Sequence, residues 1–221
     1  FLPQANRLCM GDTIPEEELI NVKDKHVIII GGGDTGADCI GTSHRQGAAS
    51  VTSLEIMPRP PASRAEDNPW PQWPFIYRTA SAHEEGGERV YSVQTKKFHG
   101  DADGNLTELE LTKVELQREA GRMQFNDVPN SKEMLKADFV FLAMGFTGAE
   151  KEGLVEQLGI DLNDRTNVWQ ENWQTNVEGV FVAGDMQHGQ SLIVWAIAEG
   201  RSAAAAVDKY LMGDTDLPSP V

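Results

Sequence analysis

Apolar and polar positions follow several distinct patterns along this chain, and the clearest pattern begins at His26. The four residues after His26 are all apolar, which predicts a short strand that is buried on both faces. The following pattern predicts a helix over 34–46 that ends at Gly47, and a second strand over 51–56. Strand, turn, helix and strand in this order predict a βαβ unit.

The middle of the chain has a different pattern, in which apolar and polar residues alternate. Alternating runs at 91–98 and 106–116 flank the turn-forming stretch 100–105, which predicts a hairpin. A second turn at 121–122 precedes a short strand at 123–125, so this part predicts a β-meander.

The acidic residues of the first turn resemble a calcium loop in spacing. Asp101, Asp103 and Asn105 alternate as ligands do, but Thr112 stands where such a loop needs a glutamate. We therefore interpret them as turn residues and predict no metal site.

Two later apolar runs also end in glycine. The run 137–146 predicts a strand that returns to the parallel sheet beside the first strand, which would bring Gly145 to the edge where ligands bind. A helix over 151–158, a strand within 175–185 and a long helix over 191–210 follow. The strand within 175–185 ends in Gly184-Asp185, and on spacing alone such an aspartate is more often a turn or cap residue than a ligand.

A glycine pattern directly follows the first strand. Gly31, Gly33 and Gly36 form G-x-G-x-x-G at the point where a strand meets a helix, which is typical of dinucleotide binding. Gly31 would allow the tight turn, Gly33 would let a pyrophosphate approach the backbone, and Gly36 would let the helix pack closely on the strand. The helix would begin at Asp34 and Thr35 with unpaired N–H groups that attract an anion.

Glu55 is the candidate ligand for an adenosine ribose. It follows Gly31 by 24 positions at the end of the second strand, near the spacing expected for that acid. The alternative is an exposed carboxylate without a ligand. A carboxylate here favours NADH, but Arg59 and Arg64 could pair with the 2′-phosphate of NADPH, so the choice stays open.

The stretch 58–74 is rich in proline and contains two tryptophans. Proline excludes regular helix and inner strand here, which predicts a rigid aromatic loop. Packing over the cofactor or against a partner, and simple coverage of the sheet end, are equally compatible with this pattern. His188 is a candidate acid or base, although a solvated loop histidine is the favoured interpretation.

Composition restricts the partners. The 221 residues hold 19 Lys and Arg against 34 Asp and Glu, a formal charge of −15, which argues against nucleic acid and acidic lipid surfaces. No apolar run approaches the roughly 20 residues that span a bilayer, so we expect no membrane segment. Cys9 and Cys39 lie in no metal-ligand spacing, which is typical of a reduced, cytoplasmic protein.

Several stretches together resemble the small (beta) subunit family of glutamate synthases. The glycine motif and the strand ends are shared with many proteins, whereas the tryptophan loop and the start of the last helix are more specific. The stretches are 31–39, Leu54-Glu55-Ile56-Met57-Pro58, Asn68-Pro69-Trp70-Pro71-Gln72-Trp73-Pro74, Ala143-Met144-Gly145-Phe146 and Gly189-Gln190-Ser191-Leu192-Ile193-Val194-Trp195-Ala196-Ile197.

The resemblance implies an α/β fold with the two-domain architecture of disulfide reductases. Residues 26–145 would form a Rossmann-like NAD(P)H-binding domain that includes the β-meander. Residues 1–25 would be a connecting segment and part of the FAD-binding domain, and 146–221 its carboxyl-terminal part. Gly184 and Asp185 would then face the ribityl chain of FAD, and Gln190 and Ser191 would begin a helix near its isoalloxazine ring.

The implied activity is electron input to glutamate synthase. NAD(P)H would reduce FAD by hydride transfer, and iron–sulfur clusters would pass the electrons to the large (alpha) subunit, which makes glutamate from glutamine and 2-oxoglutarate. Hydride transfer needs alignment more than an acid or base, so we name no catalytic side chain.

The chain also departs from the family. Family members carry a cysteine-rich segment for the clusters and a first glycine fingerprint for FAD, and these 221 residues contain neither. The chain begins on Phe1 and not on Met, so we expect a piece of a longer protein that binds NAD(P)H but does not hold FAD tightly.

Two other functions remain open. One is the electron-input module of another flavin reductase, similar to dihydropyrimidine dehydrogenase, against which the tryptophan loop argues. The other is a non-catalytic interaction module in which the glycine turn is only structural.

Overall fold

A computed structural model describes residues 1–70, 74–119 and 122–221, with only the backbone of residue 122. It divides into two compact units, Phe1–Met144 and Gly145–Val221. The strands of the first unit are β1 (His26–Ile30), β2 (Ser50–Glu55), β3 (Glu88–Tyr91), β4 (Val93–Gly100), β5 (Leu106–Glu119), β6 (Arg122–Asp127), β7 (Glu133–Lys136) and β8 (Phe139–Leu142). Its α-helices are α1 (Leu2–Cys9), α2 (Asp34–Arg45) and α3 (Ser81–Glu84).

Four strands of the first unit form a parallel sheet in the order β3-β2-β1-β8. β1 is central, and its side chains alternate between two apolar clusters. Val27 and Ile29 pack with residues of α2, whereas Ile28 packs with residues of the β-meander. The predicted burial of this strand on both faces is therefore confirmed, as are the βαβ unit and the return of β8 beside β1.

Helix α2 connects β1 to β2, within one residue of the predicted bounds. Cys39 and Ile40 are buried against the sheet, so this helix has one apolar face. Gly47 follows the helix with φ +84°, and its N–H donates to the carbonyl of His44. A left-handed residue at this place is what allows the chain to turn back into β2.

The β-meander is confirmed, but its first predicted strand is divided. β4 pairs antiparallel with β5, and β5 pairs with both β6 and β7. The predicted strand over 91–98 is confirmed from Val93 onward, where it forms part of β4, but it does not continue through Ser92, which has φ +56° and turns the chain. Residues before Ser92 form β3 of the parallel sheet, and residues after it form β4. The predicted turn at 121–122 begins outside the described residues.

The hairpin between β4 and β5 is closed by Asp101. Its Oδ1 accepts the N–H groups of Asp103 and Asn105, at 3.0 and 2.9 Å. The backbone hydrogen bond from Asn105 is the largest of several that hold the pKa of the Asp101 carboxyl below its usual value. These contacts agree with the interpretation of the acidic stretch as a turn.

The amino-terminal segment packs within the first unit. Phe1 stacks on Phe141 of β8 with ring centres 4.2 Å apart, and Val22 is fully buried in the cluster of Val27 and Ile29. Residues Glu16–Glu18 form a 3-10 helix after Pro15, and α1 precedes it in the same segment. The assignment of residues 1–25 to a flavin domain stays a prediction.

The second unit contains α4 (Leu154–Leu158), α5 (Asp185–His188) and α6 (Ile193–Met212). Val155, Ile160 and Val168 form its apolar core. The predicted strand within 175–185 was wrong: in the described chain this segment forms only an isolated bridge between Gln174 and Phe181. A strand requires a neighbouring strand to accept and donate its backbone hydrogen bonds, and this segment has none in the described unit.

The carboxyl-terminal residues return to α6. Gly213 ends the helix with φ +87°, and the N–H of Val221 donates to Ser202 Oγ at 3.2 Å. The carboxyl-terminal tail therefore contacts the helix through this hydrogen bond. Among the described helices, none has the length and apolar character needed to span a membrane.

Candidate functional site

The glycine turn between β1 and α2 is shaped by close backbone packing. Gly31 has φ +122°, and a Cβ there would lie 2.6 Å from the carbonyl carbon of Ala143, just after β8. A Cβ on Gly36 would overlap the carbonyl oxygen of Gly31. Both positions therefore require glycine for the packing of the turn, the helix and the sheet.

Gly33 differs from its two neighbours in the motif. Its φ is −81°, and an added Cβ would meet no heavy atom within 4 Å. Packing and backbone conformation therefore give no reason for glycine here. An open backbone is what the close approach of a pyrophosphate requires.

The start of α2 supplies free backbone donors. The first hydrogen bond within the helix runs from the N–H of Ala37 to the carbonyl of Gly33, so the N–H groups of Asp34, Thr35 and Gly36 have no partner inside the helix. Asp34 and Thr35 are exposed. These donors and the positive end of the helix dipole favour an anion, although the Asp34 carboxylate opposes it.

Glu55 lies at the glycine turn, as its spacing predicted. Its Oε2 accepts the N–H of Gly32 at 2.8 Å, and its Oε1 accepts the N–H of Met57 at 3.1 Å. The carboxylate therefore joins the glycine turn to the end of β2. A carboxylate has about four acceptor positions, so two contacts leave room for a hydroxyl group.

Two arginines and two tyrosines lie together at β3 and the loop that follows β2, and we call Arg59, Tyr77, Arg89 and Tyr91 the arginine–tyrosine cluster. The Cζ atoms of Arg59 and Arg89 lie 4.3 and 4.6 Å from the ring centre of Tyr77. Arg89 also lies 5.6 Å from the ring centre of Tyr91, which pairs with Glu55 in the sheet. Burial raises the pKa of Tyr91, and the charges of Arg89 and Arg59 oppose that rise.

The proline- and tryptophan-rich loop begins and ends at this cluster. The N–H of Tyr77 donates to the carbonyl of Pro61 at 2.8 Å, and the Nη1 of Arg64 donates to the carbonyl of Asn68 at 2.9 Å. Trp70 is 82% exposed, so this residue does not cover the end of the sheet. Trp73 lies outside the described residues.

The second unit contains an open cleft of about 250 Å³. Asp185 and Gln190, both predicted to bind flavin, line it together with Asn167. Gly145 lies close to the same group, since a Cβ there would be 3.1 Å from Gln190 Nε2. Gly184 precedes Asp185 with φ +72°, and Ser191 is exposed.

The sequence patterns missed a buried acid beside these residues. Glu199 of α6 is only 3% exposed, and its Oε1 lies 3.0 Å from Nδ1 of His188. The predicted solvated histidine therefore has a carboxylate partner. The available signal was a lone acid within the alanine-rich run of α6.

Comparison with known proteins identifies the family. The family model described as "Pyridine nucleotide-disulphide oxidoreductase" matches residues 2–200. The chain belongs to this family. Its α/β fold, with a Rossmann-like parallel sheet and a β-meander, agrees with that membership.

The chain is also homologous to glutamate synthase small chains. It is 55% identical over 225 residues to "Glutamate synthase [NADPH] small chain" of Mycobacterium tuberculosis (strain CDC 1551 / Oshkosh), covering 100% of this chain and 45% of that protein. The protein of the same name from Bacillus subtilis (strain 168) is 41% identical, with 99% of this chain and 46% of that protein covered. The chain therefore spans about half the length of these relatives.

Two further comparisons bear on the cofactor and the fold. "Glutamate synthase [NADH]" of Schizosaccharomyces pombe is 40% identical, with 99% of this chain and 11% of that protein covered. FprA of Mycobacterium tuberculosis in complex with NADPH has a TM-score of 0.64 at 14% identity, covering 87% of this chain and 54% of that chain. The likeness to FprA concerns the fold alone. The names of the glutamate synthase relatives include both NADPH and NADH.

Proposed function

We propose that this chain binds NADPH at the glycine turn of its first unit and serves electron input in a glutamate synthase small chain. The open backbone at Gly33 carries the proposal, because packing requires glycine at Gly31 and Gly36 but not at Gly33. A phosphate that passes over the backbone at Gly33 would explain why this position is also glycine. The free N–H groups at the start of α2 support the same position.

The residues of the turn fit a dinucleotide. Gly32, Gly33 and Thr35 are exposed to an incoming ligand, and Glu55 holds the turn in shape from β2. When bound, NADPH would supply a hydride for the reduction of FAD, which would also take up a proton, and NADP⁺ would be the other product. The protein's part is to bind and align the nucleotide.

We propose NADPH in preference to NADH because of the arginine–tyrosine cluster. Arg59 and Arg89 place two positive charges beside the strand end that carries the single negative charge of Glu55. Guanidinium groups pair with phosphate oxygens through charge-assisted hydrogen bonds. A ribose 2′-phosphate would relieve the repulsion between the two arginines.

We propose that Gly145, Gly184, Asp185, Gln190 and Ser191 belong to the flavin-binding part of the complete assembly. The cleft that Asp185 and Gln190 line supports this assignment. Iron–sulfur clusters and a large (alpha) subunit enter the proposal only through the homology to glutamate synthase small chains.

Parallel calorimetric titrations with NADPH and NADH test the nucleotide site. We expect both to bind, NADPH more tightly, and both to bind more weakly to Glu55→Ala, which loses the contact that shapes the turn. Glu119→Ala, an exposed substitution in β5, is the control and should bind like wild type. Absence of binding by both nucleotides to a folded chain would favour the interaction module.

The flavin and synthase parts need a separate test. Residues 1–221 would be fused to the portion of the Mycobacterium tuberculosis small chain that they do not match, and NADPH-dependent reduction of bound FAD would be followed by absorbance. Addition of that organism's large chain, glutamine and 2-oxoglutarate should then yield glutamate. A fusion that binds FAD but is not reduced by NADPH would contradict the proposed electron input.

A further inference from the structure

A buried carboxylate in the second unit has no role in the function described so far. Glu199 is 3% exposed on α6. Removing a carboxylate from water is unfavourable unless its oxygens are paired, so the groups that pair with Glu199 indicate what it does.

The two oxygens of Glu199 contact the two ends of one short turn. Oε2 accepts the N–H of Gly184, the residue before α5, at 2.8 Å. Oε1 lies 3.0 Å from Nδ1 of His188, the last residue of α5, so a proton on Nδ1 is donated to the carboxylate. Asp185 lies between these two contacts.

The turn needs this external support. α5 has only four residues, too few for a helix that is stable by itself, and Gly184 has φ +72° and ψ −149°, a conformation open almost only to glycine. The His188 ring stacks on Trp195 of α6 with ring centres 6.4 Å apart, which holds the imidazole beside Glu199.

We propose that Glu199 is a positioning residue that fixes the Gly184–His188 turn and thereby aims Asp185 at the flavin. The flavin part rests on the proposed function, whereas the support of the turn does not. Glu199 acts through backbone and imidazole contacts, so we do not place it among the groups that touch FAD.

Amide hydrogen exchange on residues 1–221 tests the support of the turn. Glu199→Leu keeps the volume but cannot accept a hydrogen bond, and we expect exchange at Gly184 to become roughly 10- to 100-fold faster. Glu199→Gln, whose amide oxygen still accepts the Gly184 N–H, should restore most of the protection. Glu156→Gln, at an exposed position of α4, is the matched control and should exchange like wild type.

Amide exchange at Ile160, in the apolar core of the second unit, distinguishes local loosening of the turn from unfolding of the unit. If Glu199→Leu loosens only the turn, exchange should become faster at Gly184 and stay unchanged at Ile160. His188→Ala removes the other contact from an exposed position, so it keeps the proposal testable even if Glu199→Leu does not fold. We expect several-fold faster exchange at Gly184 in this variant. Exchange at Gly184 within twofold of wild type in a folded Glu199→Leu or in His188→Ala would overturn the proposal.

The flavin arm uses the fusion described above. We expect the wild-type fusion to be isolated with FAD. Glu199→Leu should bind FAD with roughly tenfold lower affinity, and Glu199→Gln should recover most of the wild-type affinity. Failure of the wild-type fusion to bind FAD would count against the proposed function and leave the exchange result standing. FAD affinity of Glu199→Leu equal to wild type would overturn the role of Glu199 toward the flavin.

Discussion

Gly33→Ala separates a nucleotide-binding turn from a purely structural one. The φ of −81° is accessible to alanine, and the new Cβ meets no heavy atom within 4 Å. Alanine is a poorer residue than glycine before a helix, by about 0.5 kcal/mol, but it also restricts the unfolded chain, which stabilises by about 0.4–1 kcal/mol. The net change in the free energy of unfolding should therefore be close to zero.

Gly31→Ala should behave in the opposite way. Its φ of +122° is strained for alanine, at a cost of about 1–3 kcal/mol, and the Cβ lies 2.6 Å from the Ala143 carbonyl carbon. Such overpacking costs about a further 1–3 kcal/mol. A loss of about 2–6 kcal/mol is a large part of the roughly 5–15 kcal/mol that stabilises a typical domain.

Urea denaturation and calorimetric titration with NADPH measure the two effects separately. We expect Gly33→Ala to unfold like wild type but to bind NADPH about 5- to 100-fold more weakly, because a methyl group would press on the pyrophosphate. Gly200→Ala in α6 is the matched control, since that glycine also has open space around it. If folded Gly33→Ala binds NADPH with wild-type affinity, the phosphate does not pass over Gly33 and our reasoning is wrong.

Three further predictions follow from particular side chains. Arg59→Gln and Arg89→Gln should each weaken NADPH binding by roughly 10- to 100-fold and leave NADH binding unchanged, with exposed Arg118→Gln as the control in the same titrations; equal losses for both nucleotides would contradict a 2′-phosphate contact. Burial raises the pKa of the Cys39 thiol, whereas Cys9 is exposed, so iodoacetamide should modify Cys9 first and Cys39 only after urea unfolding, as peptide mass spectrometry would reveal. Hydrogen bonds from Asn105 lower the pKa of Asp101, and a hydrogen bond from Lys132 lowers the pKa of Glu110. The two carboxylates therefore add to the free energy of unfolding above the usual carboxyl pKa, and this stabilisation is lost as the pH falls through the lowered pKa values. The urea concentration at the unfolding midpoint should therefore decrease as the pH is lowered below about 4, and it should decrease less steeply in Asp101→Asn than in wild type. An equal decrease with pH in the two proteins would refute this role of Asp101.

The parts of the fold that local pattern determines could be predicted from the sequence. An uninterrupted apolar run has to be buried on both faces, which identified β1, and the glycine spacing located the turn and Glu55 beside it. The break at Ser92 could not be predicted, because alternation continues through it and only the backbone conformation separates β3 from β4.

Contacts between distant residues were the other limit. Arg59, Tyr77 and Arg89 meet only because a long loop returns to the end of the sheet, and their spacing has no pattern. The strand expected within 175–185 depends on neighbouring strands, which periodicity does not report. Glu199 was missed because a single acid in a helix is usually solvated, and its burial appears only with the turn that it contacts.

Nuclear magnetic resonance of glycine-labelled protein tests the central claim most directly, that the dinucleotide binds across the glycine turn. Residues 1–221 would carry ¹⁵N only in glycine, and the amide signals would be followed during titration with NADPH. We predict the largest shifts at Gly32 and Gly33, and no shift at Gly104 in the distant hairpin. Binding of NADPH that leaves the signals of Gly31, Gly32, Gly33 and Gly36 unmoved would contradict the account.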